Sequence, residues 1–173
     1  MGDRRRRVVY VLGLGGNLGR RAANLARARR LLEKGGVAVV RASPVYETEP
    51  VGFAGQPAFL NQVLEVLSEL DPPALLRLAK SVETALKRTP AVTNGPRTID
   101  IDILLAGDHV EAGPDLVVPH PRMHLRNFVL VPLDDIAPDL RHPVLGRTVR
   151  ELKEACPDRS RVERFAGRRR RRP

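Results

Sequence analysis

One run constrains the fold of this 173-residue chain more than any other: Thr98-Ile99-Asp100-Ile101-Asp102-Ile103-Leu104-Leu105. Strict alternation of isoleucine and aspartate suits an extended strand, whose successive side chains point to opposite faces. Ile99, Ile101 and Ile103 then share one face, which needs apolar cover. Asp100 and Asp102 share the other face, about 7 Å apart. Such a strand belongs in a sheet with one face buried and the other polar.

The remaining segments predict the sheet's partners. Val8 to Leu14 is a β-branched apolar run that reads as a buried strand, and Gly15-Gly16-Asn17 ends it. Residues 20–34 place Ala23, Leu25, Ala26, Leu31 and Leu32 on one side of a helix, stopped by Gly35-Gly36. Val37 to Tyr46 reads as a second strand and Leu60 to Leu67 as a third. Asp71-Pro72-Pro73 opens a second helix running to about Lys87, with Leu75, Leu76, Leu78, Ala79, Val82 and Leu86 inward. Short helical pieces are expected near 126–134 and 148–155. The order β-α-β-β-α-β predicts an α+β ferredoxin-like sandwich, an antiparallel sheet with helices on one face and a loop-rich C-terminal part. Length fits a single domain, placed at 8–155, with disordered basic tails at 1–7 and 166–173.

Charge and cysteine content narrow the class. Arg4–Arg7 and Arg168–Arg172 account for nine of the net charge of +10, so the body between them is near neutral. No basic stripe crosses it, and no nucleic-acid partner is expected. No apolar run approaches the roughly 18 residues of a membrane span. The basic start before Val8 superficially resembles a signal peptide, but the apolar stretch is short and β-branched and lacks an evident cleavage site. Cys156 is the one cysteine, so no internal disulfide forms, and a reducing, cytoplasmic setting is expected. Its polar surroundings predict an incidental or structural thiol, not a nucleophile.

The two aspartates could chelate a hard dication. Magnesium takes one or two carboxylates and completes its shell with phosphate oxygens. Spacing alone leaves a solvated acidic face as an even alternative. Gly95-Pro96-Arg97 leads into the strand, and Arg88 lies at the far end of the same loop. Guanidinium beside a dication is what phosphoryl transfer requires, since its catalysis is mainly positioning and charge stabilisation. A second cluster, Pro119 to Phe128, holds His120 and His124 at i, i+4. With no third ligand type nearby, a lid over phosphates using His120 and Arg126 is favoured over zinc. GLGGNLG at 13–19 has Leu18 where a dinucleotide fingerprint needs its third glycine, and no Walker A sequence occurs.

Four stretches together carry a resemblance: LGLGGNLG at 12–19, YETEPVGFAGQPAFLNQV at 46–63, NGPRTIDIDILL at 94–105 and VPHPRMHLRNFVLVPL at 118–133. The chain resembles the 6-hydroxymethyl-7,8-dihydropterin pyrophosphokinase family from about Val8 to Leu152. The resemblance implies transfer of the β,γ-pyrophosphoryl unit of ATP to the pterin hydroxymethyl oxygen, releasing AMP, in folate biosynthesis. It implies two Mg2+ ions at Asp100 and Asp102, with Arg88 and Arg97 as catalytic phosphate contacts. His120 and Arg126 match further phosphate-side positions, and Glu83 and Ile103 match positions near the nucleotide. Thr48, Asn61 and the Val51 backbone match groups that bind the pterin edge, and Phe59 and Phe128 match the aromatic pair around its ring. The expected partners are therefore ATP and the hydroxymethyl-dihydropterin, and a monomer is expected. Two departures stand out. The loop before Gly95 has Pro90, Thr93 and Asn94 where the family often carries more arginines and a tryptophan, and Asp115 and Val117 replace polar or basic residues. Two rivals are weaker. An RNA-binding sheet would display stacking aromatics on its strands, and a catalytically dead homologue would not need the Asp pair and Arg97.

Overall fold

The computed structural model describes residues 7–52, 55–87 and 95–167. The elements run β1 (Val8–Gly16), α1 (Arg21–Lys34), β2 (Val37–Ala42), β3 (Tyr46–Thr48), β4 (Phe59–Ser68), α2 (Pro72–Ala85) and β5 (Asp100–Ala106). There follow a small hairpin, β6 (Glu111–Ala112) and β7 (Val117–Val118), then α3 (Asn127–Ile136), α4 (Val149–Glu154) and β8 (Val162–Arg164). The main sheet has the order β5-β1-β4-β3-β8, with β2 also paired to β4, and every pairing in it is antiparallel. This is the expected ferredoxin-like α+β arrangement, with β1 between β5 and β4.

One face is covered by α1 and α2. In α1 the buried stripe is Leu25, Ala28 and Leu32; Ala23 and Ala26, expected inward, face solvent. Asp71 caps α2 by accepting the Ala74 N–H at 2.8 Å, with Pro72 and Pro73 in the first turn. Leu75, Ala79 and Val82 face the sheet and meet Tyr10, Leu12, Leu14, Leu64 and Val66. Ile99, Ile101 and Ile103 lie in the same core, as the alternation requires.

The structure departs from the sequence expectations at three places. The strand expected at 37–46 is two strands, β2 and β3, laid along the same edge of β4. Pro44 has no N–H for the ladder. Ser43 holds the break: its N–H donates to Val63 O at 2.9 Å and its Oγ accepts the Val63 N–H at 3.0 Å. Second, α3 and α4 cover part of the opposite face. Their core gathers Val11, Val63, Leu104, Met123, Leu130, Leu133, Leu152 and the buried Cys156, whose packing is structural. A register shift between Val11 and Leu12 on β1 lets adjacent Leu104 and Leu105 both reach it. Third, β8 adds a strand beyond the expected domain limit at 155, because Val162–Arg164 is too short and too charged to signal itself. Among the described residues no helix is long and apolar enough to cross a membrane.

Candidate active site

Two glycines form the floor of the site. Gly15 pairs with Asp100 on β5 and with Asn61 on β4; Gly13 pairs with Asp102 and with Val63. Directly paired residues project to the same face. The rows therefore read acid, glycine, β4 side chain, and the missing side chains leave a trough. With strands about 4.8 Å apart, the Asp100 and Asn61 backbones stand roughly 10 Å from each other. A Cβ at Gly15 would lie 2.3 Å from Asn61 Oδ1. The trough opens into a cavity of about 250 Å³ lined by Thr48, Val51, Phe59, Asn61, Arg97, Asp100, Asp102, Arg126 and Phe128.

The next two residues anchor the loop that enters β5. A Cβ at Gly16 would lie 2.3 Å from Thr98 O, so only glycine lets that backbone close onto β1. Asn17, 3% exposed, then brackets Arg97: its N–H donates to Arg97 O and its Oδ1 accepts the Arg97 N–H, both at 2.9 Å. Its Nδ2 donates to Gln56 Oε1 at 2.9 Å and Pro57 O at 3.0 Å. One side chain thus ties the Arg97 loop to the segment before Phe59. The Gly-rich motif is packing, and its asparagine is the residue that composition and motif reading missed. The signal was a polar side chain directly after Gly-Gly, at the end of a buried strand.

Charge gathers at one end of the trough. Arg97 pairs with Asp100 at 3.3 Å and lies over the Phe59 ring, 5.2 Å from its centroid. Arg126 lies over Phe128 at 5.5 Å. Burial first, and then the Asp100 carboxylate, push Asp102 up to about 6, against the pull of Arg126 and Lys80. A carboxylate pair under that strain is a ready receptor for a dication. Two carboxylates also fit magnesium better than zinc. Among the described residues no three His, Cys, Asp or Glu side chains gather as a metal site. His124 turns instead toward His142, with ring centroids 6.2 Å apart.

His120 differs from a cationic lid residue. Burial, then Arg126 and Arg122, lower it to about 4, so it is neutral at pH 7. Its Nδ1 accepts the Arg122 N–H at 3.1 Å. A backbone N–H can only donate, so the ring proton sits on Nε2. His120 is thus available as a neutral donor. Arg122, not singled out in the sequence, also lines the cavity and lowers Arg126 after burial has done so.

The pterin-edge candidates come together. Asn61 Nδ2 donates to Thr48 Oγ1 at 2.7 Å, both buried, and Val51 lies at the exposed rim. The two nucleotide candidates on the helix side do not line the cavity. Glu83 is 2% exposed, accepts the Ile101 N–H at 2.8 Å, and pairs with Lys80 at 3.1 Å. It closes the outer edge of β5. The Ile103 side chain is in the core beneath the helices. Arg88, Pro90, Thr93 and Asn94 lie outside the described residues.

Comparison with known proteins bears on the same residues. Residues 11–138 match the family model for 7,8-dihydro-6-hydroxymethylpterin-pyrophosphokinase. A 2-amino-4-hydroxy-6-hydroxymethyldihydropteridine pyrophosphokinase of Pseudomonas aeruginosa is 41% identical, covering 92% of this chain and 97% of the relative. One of the same name from Methylorubrum extorquens is 45% identical over 81% of this chain and 88% of its own. The folic acid synthesis protein fol1 of Pneumocystis carinii is 39% identical over 87% of this chain, which spans only 20% of that longer protein. Among solved structures, Plasmodium falciparum HPPK-DHPS with pteroate superposes with a TM-score of 0.71 at 18% identity, over 90% of this chain and 43% of that one. That likeness carries the fold alone. The family match spans the glycine floor, the Asp pair, the Thr48–Asn61 pair and both phenylalanines, and the chain belongs to the 7,8-dihydro-6-hydroxymethylpterin-pyrophosphokinase family.

Proposed function

We propose that the chain transfers pyrophosphate from ATP to the hydroxymethyl group of 6-hydroxymethyl-7,8-dihydropterin, giving AMP and the pterin diphosphate. One observation carries this reading. The Asp100–Asp102 pair and the Thr48–Asn61 pair face one cavity across a side-chain-free trough, with a phenyl ring available on β4 and on α3. A flat polar heterocycle needs aromatic faces and a few fixed polar partners. Thr48 Oγ1 accepts from Asn61, which turns its own hydroxyl proton outward as a donor to the pterin edge. Phe59 and Phe128 flank the ring once Arg97 and Arg126 swing from them onto the phosphates.

Asp100 and Asp102 hold two Mg2+ ions in this reading. Bound there, magnesium would supply charge neutralisation and orientation to the triphosphate. Arg97, Arg126 and Arg88 share the charge on the transferred unit, and neutral His120 donates an Nε2–H hydrogen bond to a phosphate oxygen. The pterin hydroxymethyl oxygen bonds to the β-phosphorus as the bond to the α,β-bridging oxygen breaks; AMP departs with the bridging oxygen, and the hydroxyl proton passes to solvent. A monomer in a reducing cytoplasm completes the reading, and the single cysteine is buried and unpaired with another thiol.

The test is AMP release by folded protein supplied with ATP, Mg2+ and the hydroxymethyl-dihydropterin. AMP should form only when the pterin is present. Asp100→Ala and Asp102→Ala should each lose about a thousandfold or more in turnover with an unchanged far-UV spectrum. Folded wild-type protein that releases no AMP refutes the reading.

A further inference from the structure

The family match ends at residue 138, yet residues 158–165 run back across the molecule and touch both walls of the cavity. At one end, Asp158 Oδ2 accepts the N–H of Asn127, the first residue of α3, at 2.9 Å. Its Oδ1 accepts from Ser160 N at 2.9 Å and Ser160 Oγ at 2.5 Å. Burial raises the Asp158 carboxyl, but these hydrogen bonds from Ser160 and Asn127 outweigh it and hold the group below its usual range. Asp158 is therefore an anion at the positive end of α3, where the helix has no capping side chain of its own. The residue after Asn127 is the cavity wall Phe128.

At the other end, β8 pairs with β3 and sets Val162 opposite Thr48. Glu49, which also lines the cavity, donates its N–H to Arg161 O at 3.3 Å and accepts the Arg161 N–H on Oε2 at 3.2 Å. Phe165 locks this end, its N–H on Val45 O at 2.8 Å and its ring against the helix-side core. Only four peptide steps separate Asp158 from Val162, a reach of about 14 Å when fully extended. So short a tie leaves little freedom in the distance between α3 and β3.

We propose that residues 158–165 act as a strap that sets the width of the pterin slot, with Asp158 the positioning residue that holds the Phe128 wall against the Thr48 wall. The proposal rests on the pterin pyrophosphokinase reading. It predicts a split between the two substrates. Asp100, Asp102 and Arg97 sit on β5 or the loop entering it, at one edge of the sheet, and β8 is at the other. Loosening the strap should weaken pterin binding more than ATP binding, because Arg126 is the one phosphate-side arginine next to the strapped end of α3 and Arg97 and the Asp pair lie elsewhere.

The experiment measures the dissociation constant of the pterin by its fluorescence and that of Mg-ATP by calorimetry, in wild type, Asp158→Ala and Asp158→Asn. Asp158→Ala should raise the pterin Kd about tenfold, equivalent to about 1.4 kcal/mol, with the ATP Kd moved about threefold or less. Asp158→Asn keeps an acceptor but loses the charge, and should raise the pterin Kd about threefold. Unchanged pterin affinity, or an equal loss for both ligands, overturns the proposal. If Asp158→Ala does not fold, the Asp158→Asn result decides by the same criteria. A wild type that neither binds the pterin nor releases AMP would defeat the underlying reading; an active wild type with indifferent variants would defeat the strap alone.

Discussion

Asp102 carries an electrostatic conflict inside the folded protein. Burial and the neighbouring Asp100 raise it to about 6, whereas an aspartate in an unfolded chain titrates near 3.9. A carboxyl raised on folding lends stability below its unfolded value and loses it as pH rises through the folded one. Metal-free protein is thus destabilised by Asp102 above about pH 6 and relieved near pH 4. Asp102→Asn in EDTA should raise stability by about 1 to 2 kcal/mol at pH 7.5, or roughly 3 to 6 °C in Tm for a domain of this size. The gain should vanish by pH 4. If Asp102 holds the metal as proposed, saturating Mg-ATP should reverse the order, because the variant then loses much of the binding free energy. A thermal melt series across pH, with and without Mg-ATP, reads all three outcomes. Asp102 was legible in the sequence because its signal is local: the alternation of Ile and Asp alone puts both carboxylates on one face. The neutrality of His120 was not legible, since it depends on Arg122, Arg126 and burial together.

At the scale of elements, the site depends on how three loops are fastened. Asn17 joins the end of β1, the loop entering β5 and the segment before β4 by hydrogen bonds of 2.9 to 3.0 Å. Asn17→Ala removes the acceptor of the Arg97 N–H and a donor to Gln56 and Pro57 at a part-buried site, at about 1 to 3 kcal/mol. A shift of even 1 Å at Arg97 can cost about a hundredfold in rate. Turnover should therefore fall about 10- to 100-fold, while Tm drops by several degrees and the far-UV spectrum stays native. Steady-state kinetics below the melting range separate the two effects, and a variant that melts lower but keeps wild-type turnover would show the ties to be structural only. Such ties join positions 17, 56 and 97, which no local pattern connects. The same reason hid the break between β2 and β3: Pro44 hinted at an interruption, but the Ser43 bonds that turn it into two aligned strands come from Val63. Helix ends and the period-2 strands were legible because caps and alternation are written within a few residues.

For the whole molecule, the consequence lies in the layering. The expectation of helices on one face holds for α1 and α2, and the opposite face gains a second core under α3 and α4. The two short helices were expected near 126–134 and 148–155, but not their place on the opposite face, because the partners that set it sit on β1, β4 and β5. Both cores grow from the same strands: on β1, Tyr10 and Leu12 serve the first and Val11 the second, and on β4, Leu64 and Val63 divide likewise. Neither layer can melt while the shared strands stay paired, so the chain should unfold in one step. Leu75→Ala in the first core and Leu130→Ala in the second, both fully buried in the native chain, should each cost about 2 to 5 kcal/mol. Each should move the single transition down by roughly 5 to 15 °C without splitting it. Calorimetry checks this through equality of the calorimetric and van't Hoff enthalpies, and a Leu130→Ala trace with two transitions would show that the site-side layer melts alone. The coupling matters for function: Arg126 and Phe128 sit at the start of α3, and Asp100 and Asp102 on β5. A sheet shared by both cores holds these two ends of the cavity in fixed relation.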